Sequence, residues 1–258
     1  MEEAVSTDLI DSVHTIEVKG IRVDFGGVRA LDGVDLMFRE HEVAGLIGPN
    51  GAGKTTMLNV LSGFVRPTAG RIVMAGTDIT GWPPSRLART GVARTFQNVR
   101  LFGELTVLEN VQVGALGVGV RGSEAVRSAQ SLLEFVGLAD VAQRKAHTLP
   151  YGAERLLGLA RVLATQPKWL LLDEPAAGLN ESETDHLGEI LKSIRRQFNC
   201  AMVLVEHNMR LVMQLCDRLH VLDHGQILMV GVPKVVAANP TVRAAYFGKS
   251  SRQATPFS

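Results

Sequence analysis

The chain has 258 residues, a formal net charge of +1 and an apolar fraction of 46%. This composition is typical of a globular protein, and the near-neutral charge disfavours nucleic acid as a partner. No uncharged stretch is longer than Asn110 to Val120, far short of the roughly 20 apolar residues that cross a bilayer. The acidic N-terminus does not resemble a secretory signal, so we expect a cytosolic protein.

The first predicted elements are two half-buried antiparallel strands. Apolar and polar residues come close to alternating from His14 to Val18 and again from Val28 to Phe38, which is the pattern of strands with one face on a core. The chain therefore opens as a β layer.

A phosphate-binding loop follows between a predicted buried strand and a predicted helix. The strand is the apolar run Val43 to Ile47, and the helix is Lys54 to Leu61. The residues at the junction satisfy the G-x-x-x-x-G-K-[ST] pattern: Gly48, Pro49, Asn50, Gly51, Ala52, Gly53, Lys54 and Thr55. The flanking strand and helix favour this interpretation over a chance glycine-rich turn.

Each residue type in this loop suits a nucleoside triphosphate. The glycines let backbone N–H groups turn toward phosphate oxygens, and the helix N-terminus adds the positive end of its dipole. Lys54 supplies a full charge at the terminal phosphates, and the Thr55 hydroxyl is placed to ligate Mg²⁺. We therefore predict MgATP binding.

Downstream, the pattern becomes helical and then returns to alternating strands and helices. Residues from Glu104 to Thr165 show helical spacing without a convincing strand. Buried strands are predicted at Leu170 to Leu172 and at Ala201 to Val205, and a hairpin closes around His224 and Gly225.

The strand at Leu172 ends in two acids, Asp173 and Glu174. The carboxyl end of a parallel strand lies at the sheet edge where ligands bind, so Asp173 is suited to hold Mg²⁺ through water. Glu174 can orient, or take a proton from, the water that attacks the γ-phosphate. Two such acids are commonly only a solvated loop edge, but their pairing with the phosphate loop favours the functional interpretation.

These patterns predict an α/β fold: a P-loop NTPase core with a mixed or parallel sheet, an N-terminal antiparallel β layer and an inserted α-helical subdomain. We expect a single domain over 14–248, with its core in 14–103 and 166–248 and its helical part in 104–165. Residues 1–13 and 249–258 are expected to be flexible tails. Cys200 and Cys216 lack C-x-x-C spacing and are predicted to be reduced, packed thiols.

With these motifs in this order, the chain resembles the ATP-binding subunits of ABC transporters. The resemblance implies that Gln97 senses Mg²⁺ and the γ-phosphate, and that His207 is the switch histidine that contacts the γ-phosphate. Phe25 stands where the family places an aromatic ring under adenine, and core packing is the alternative role for it. Thr56, beside Thr55, is included among the nucleotide-binding residues.

The family signature Leu-Ser-Gly-Gly-Gln aligns with a divergent segment, Leu149 to Arg155. Pro150 and Tyr151 replace its serine and first glycine, so Gly152 and the helix start remain as donors. The resemblance implies that Tyr151 and Gly152 face the nucleotide of a second ATPase subunit, identical or not.

The segment also matches the subgroup that powers branched-chain amino acid importers, as do the stretches 94–102, 174–180 and 239–248. This resemblance implies transmembrane permease partners, an extracytoplasmic solute-binding protein and a place on the inner face of the membrane. The alternatives are the ATPase of a lipopolysaccharide-type exporter and, less in keeping with the single cassette, a soluble non-transport ABC ATPase.

Overall fold

The computed structural model describes residues 15–247, which divide into two compact units. One unit takes in the chain up to Leu87 and again from Ala201 onward, and the other is Ala88–Cys200. The predicted tails, 1–13 and 249–258, lie outside the described residues, as does His14. The predicted boundaries of the helical subdomain stay a prediction.

The first unit contains the antiparallel layer predicted from the sequence. Its strands are β1 (Thr15–Phe25), β2 (Val28–Arg39), β4 (Ala69–Met74) and β5 (Thr77–Asp78), in the order β2-β1-β4-β5. β1 continues well beyond Val18. Gly20 adopts a φ of 60° and the pairing register with β2 shifts there, but the pairing itself continues. The bulge shifts the alternation by one residue, so that Val18 and Ile21, three positions apart, are both buried.

The same unit holds a second sheet with the order β10-β9-β3-β8. β3 (Val43–Ile47) lies parallel to both β8 (Ala201–Val205) and β9 (Arg218–Asp223), and β10 (Gln226–Gly231) returns antiparallel to β9. Every residue of β3 and β8 is buried, which explains why these strands are apolar runs without alternation. The helices of this unit are α1 (Lys54–Leu61), α7 (Met209–Leu215), α8 (Pro233–Ala238) and α9 (Pro240–Phe247).

The second unit is mainly helical around two parallel strands. β6 (Val92–Arg94) pairs with β7 (Trp169–Asp173). Its helices are α3 (Val107–Gly117), α4 (Gly122–Phe135), α5 (Tyr151–Leu163) and α6 (Glu181–Gln197), and the short α2 (Pro84–Arg89) runs across the boundary in sequence. The predicted helical pattern over Glu104 to Thr165 is thus confirmed.

Capping boxes fix where two of these helices begin. Thr106 accepts the Glu109 N–H while the Glu109 carboxylate accepts the Thr106 N–H, and Asn180 and Glu183 do the same at α6. These reciprocal bonds satisfy donors that a helix start otherwise leaves unpaired. No helix within residues 15–247 is long and apolar enough to cross a membrane.

Candidate nucleotide-binding site

The loop between β3 and α1 has the backbone that phosphate binding requires. Gly51 and Gly53 have φ values of 79° and 106°, a region that favours glycine. A Cβ on Gly53 would lie 2.7 Å from the Ala30 carbonyl oxygen, and one on Gly48 would lie 2.0 Å from that of Leu222. At Gly51 nothing lies within 4 Å, so this face of the loop is open to a ligand.

Lys54 is held over this loop. Only 5% of the residue is exposed, and its Nζ donates to the Gly48 and Pro49 carbonyl oxygens, both at 2.8 Å. These bonds fix the ammonium group beside the N-terminus of α1, whose first turn has no side-chain cap. Helix N–H groups, a fixed ammonium group and the exposed Thr55 hydroxyl form a donor set that suits phosphate and Mg²⁺.

The C-terminal helix of this unit reaches the same loop. The pKa of the Tyr246 phenol is raised by burial, against an opposing effect of a hydrogen bond with the Gly48 backbone. Phe25, at the end of β1, is 49% exposed, so it is not a core residue and its ring is accessible. Thr56 is half-buried in the first turn of α1.

His207 follows β8 in a turn built by its neighbour. The Glu206 carboxylate, 3% exposed, accepts the N–H groups of His207 and Asn208 at 2.8 and 3.0 Å. Asn208 then caps α7 by accepting the Leu211 N–H at 3.1 Å. The His207 backbone is thereby fixed while the residue itself stays exposed.

In the second unit, Asp173 ends β7 in a buried ion pair. Its Oδ2 accepts from Arg94 at 2.8 Å, and both side chains are less than one-tenth exposed. Its backbone N–H donates to the Thr95 hydroxyl at 3.3 Å. One carboxylate oxygen is thus taken by Arg94, which fits a carboxylate that approaches Mg²⁺ through water.

Glu174 and Gln97 lie together in this unit. The Gln97 amide donates to Glu174 Oε2 at 2.9 Å. Glu174 has a φ of 46°, an uncommon backbone conformation for a residue with a side chain and one that clusters at functional sites. The sequence predicts that both residues belong to one site, and in this unit they are joined by that hydrogen bond.

The divergent signature begins α5. Pro150 is its N-cap and offers no side-chain hydrogen bond. Tyr151 is 47% exposed, yet its hydroxyl donates to the Ala177 carbonyl at 3.0 Å. A Cβ on Gly152 would lie 2.6 Å from Glu183 Oε1, so only glycine fits at that position without a shift of this carboxylate.

Sequence reasoning missed three contributors: Arg94, Glu206 and the hydroxyl contact of Tyr151. Arg94 follows only two apolar residues, Val92 and Ala93, so its sequence context gave no signal that this charge is buried with a partner. Glu206 directly precedes His207 and was read only as its neighbour.

A glycine-rich loop of this geometry, between a buried parallel strand and a helix and with a lysine held over it, defines a P-loop nucleotide-binding protein. The family model described as "ABC transporter" matches residues 31–177. The high-affinity branched-chain amino acid transport ATP-binding protein LivG of Salmonella typhimurium is 44% identical over 250 residues, which cover 91% of this chain and 98% of that protein. The chain belongs to the ABC transporter family, as one of its ATP-binding cassettes.

Solved structures agree with this assignment. The ADP conformation of MJ1267, an ATP-binding cassette of an ABC transporter, has a TM-score of 0.83 at 31% identity, covering 92% of this chain and 99% of that one. MJ0796, described as a dimeric bacterial ABC transporter cassette, has a TM-score of 0.76 at 25% identity, covering 84% and 98%. The predicted fold class and the predicted ABC ATPase family are confirmed.

Proposed function

We propose that this chain binds and hydrolyses MgATP to power a transporter that imports branched-chain amino acids or related small solutes. The observation that carries the ATPase is the loop in which Gly48 and Gly53 have no room for a side chain and the Lys54 ammonium group is fixed by the Gly48 and Pro49 carbonyl oxygens. The solute class is supported by the 44% identity to LivG over nearly its whole length.

In this proposal Thr55 would hold Mg²⁺, Asp173 would hold it through water, and Gln97 would be a further oxygen donor. Hydroxyl, carboxylate and amide oxygens are the ligands that this ion prefers. When bound, Mg²⁺ neutralises charge on the phosphates. The P-loop N–H groups and Lys54 bind the phosphates, and Phe25 offers its exposed ring to adenine.

Hydrolysis is assigned to Glu174, which orients the attacking water and accepts its proton. The Gln97 amide N–H group donates to Glu174 Oε2 in the described state, and the amide oxygen of the same side chain would serve Mg²⁺ when the ion is bound. His207 contacts the γ-phosphate from its fixed turn. Such chemistry depends on position and charge more than on covalent steps by the protein.

We further infer that the complete site needs a second ATPase subunit, identical or related. Gly152 and the start of α5 would present N–H groups to the γ-phosphate on the partner, with Tyr151 beside them. Closure on ATP and opening after hydrolysis would move permease subunits at the inner face of the membrane. A solute-binding protein outside the membrane would complete the importer.

The test of hydrolysis is Glu174→Gln, which keeps the shape and still accepts from Gln97. MgATP affinity is expected to remain within about twofold while turnover falls by about 100-fold or more, the usual contribution of a general base. Glu189→Gln is the matched control, because this exposed glutamate pairs with Lys192 on the surface of α6. Unchanged turnover in Glu174→Gln contradicts the base assignment.

The test of transport is reconstitution with candidate permease subunits in vesicles. ATP-driven accumulation of leucine, isoleucine or valine supports the importer. Stimulation of the ATPase by a lipopolysaccharide export permease instead refutes the direction of transport while leaving the ATPase assignment intact.

A further inference from the structure

The Tyr151 hydroxyl is the centre of a hydrogen-bond cluster that joins the start of α5 to the loop after β7. It donates to the Ala177 carbonyl at 3.0 Å and accepts from Arg155 Nε at 3.1 Å. The Arg155 guanidinium also donates to that carbonyl, at 3.2 Å. We call Tyr151, Arg155 and Ala177 the tyrosine clamp.

The clamp is packed as well as hydrogen-bonded. Tyr151 and Arg155 are one helical turn apart, so their side chains share a face, and the guanidinium carbon lies 5.0 Å from the ring centre. On the loop side, Gly178 has a φ of 80°, and a Cβ there would lie 3.0 Å from Tyr151 Cε1. The ring thus packs against a glycine, where a side chain would come too close to it.

The burial of the Arg155 guanidinium is not explained by packing alone. It is only 8% exposed, and within residues 15–247 its hydrogen-bond partners are a phenol and a carbonyl, with no carboxylate. Burying a guanidinium without an anion is unfavourable. An arrangement that tolerates this cost suits a positional role better than a contribution to stability.

The loop held by the clamp connects two features of the proposed site. It follows directly from Glu174 and ends at Asn180, the cap of α6. Glu183, which accepts the Asn180 N–H at 2.9 Å through one oxygen, also lies close to Gly152, since a Cβ at Gly152 would fall 2.6 Å from its other oxygen. The first turn of α5 is therefore hydrogen-bonded to this loop through Tyr151 and packs closely on Glu183, whose carboxylate caps the loop's end.

We propose that Tyr151 and Arg155 are positioning residues, which make the signature turn and the loop 175–180 move as one body. A phosphate engaged at the start of α5 then displaces the loop that sets the backbone of Glu174 in the same chain. Tyr151 acts through the Ala177 carbonyl rather than on a phosphate. This inference rests on the proposed function, because it assigns the loop a role in hydrolysis.

The test is Tyr151→Phe in the purified full-length chain, assayed with MgATP. The variant keeps the ring on Gly178 and removes the shared hydroxyl, a hydrogen bond whose net value corresponds to about a 3- to 10-fold change. We expect kcat to fall by about that factor while KM for ATP stays within about twofold, because a positioning contact acts on the reacting state. Arg155→Lys, which keeps the charge but loses the planar fork, should lower kcat similarly, and the double variant should lose less than the product of the two.

Thr165→Val is the matched control, since Thr165 donates its hydroxyl to the Val162 carbonyl at 2.7 Å just after the other end of α5. It should cost comparable stability in urea unfolding and leave kcat unchanged. An unchanged kcat in both clamp variants would overturn the inference. A rise in KM for ATP with kcat unchanged would also overturn it, because it would assign Tyr151 to contact with the nucleotide. If Tyr151→Phe does not fold, Arg155→Lys decides with the ring intact. A wild-type chain without MgATP hydrolysis counts against the proposed function itself.

Discussion

The buried pair of Arg94 and Asp173 gives the most direct stability prediction. In Arg94→Met the aspartate loses its partner while its side chain stays less than one-tenth exposed. Removing one member of a buried pair costs about 3–5 kcal/mol, because the remaining charge keeps its desolvation penalty without compensation. A protein whose total stability is of order 5–15 kcal/mol would lose a large fraction of it.

Urea unfolding followed by circular dichroism measures this loss. Arg127→Met is the control, because Arg127 lies exposed on α4 with a long contact of 3.4 Å to Ser123, and its removal should cost less than about 0.5 kcal/mol. The double variant Arg94→Met with Asp173→Leu should recover part of the stability, since no charge is left buried, and yet remain inactive because the proposed Mg²⁺ carboxylate is gone. A loss below about 1 kcal/mol in Arg94→Met refutes the reasoning that Asp173 depends on this partner.

Two further predictions concern buried titratable groups. Burial, together with the positive charges of Arg218 and Arg39, lowers the pKa of His220 to about 4. Because the folded pKa is lowered, stability is lost as the pH falls from about 6.5 toward 4, by about 2 kcal/mol between pH 7 and pH 5. His220→Phe should remove this part of the pH dependence in urea titrations, whereas a change at the exposed His186 that had the same effect would contradict it. Burial also raises the pKa of Cys200 and Cys216 to about 12. At pH 8 we therefore expect neither thiol to react with a thiol reagent in the folded protein and both to react in urea. Rapid labelling of the folded chain would disprove their burial.

Local signals were sufficient for most of the fold. The continuous apolar runs at β3 and β8 are typical of strands buried on both faces. The alternation in β2 is typical of a strand buried on one face. β1 was predicted too short because a glycine bulge interrupts the alternation near Gly20 while pairing continues. The short strand β6 has only three residues and no period to detect.

The candidate site divides in the same way. The P-loop is readable because its residues are contiguous and each is constrained by local backbone geometry. Arg94 and Asp173 are 79 positions apart, and Tyr151 and Ala177 are 26 apart. Contacts over such separations are decided by packing, and no period or motif in one sequence encodes them.

The contact between Gln97 and Glu174 shows what the structure adds to a motif. The sequence assigns each residue a separate role, but the described state joins them by one hydrogen bond of 2.9 Å. The Glu174 carboxylate accepts this hydrogen bond and is therefore oriented before the nucleotide binds. The Glu174 backbone, with a φ of 46°, fixes the direction in which the side chain leaves the chain. The proposed base is therefore set by its backbone and its amide partner, so a change in the loop after Glu174 can alter turnover without touching ATP.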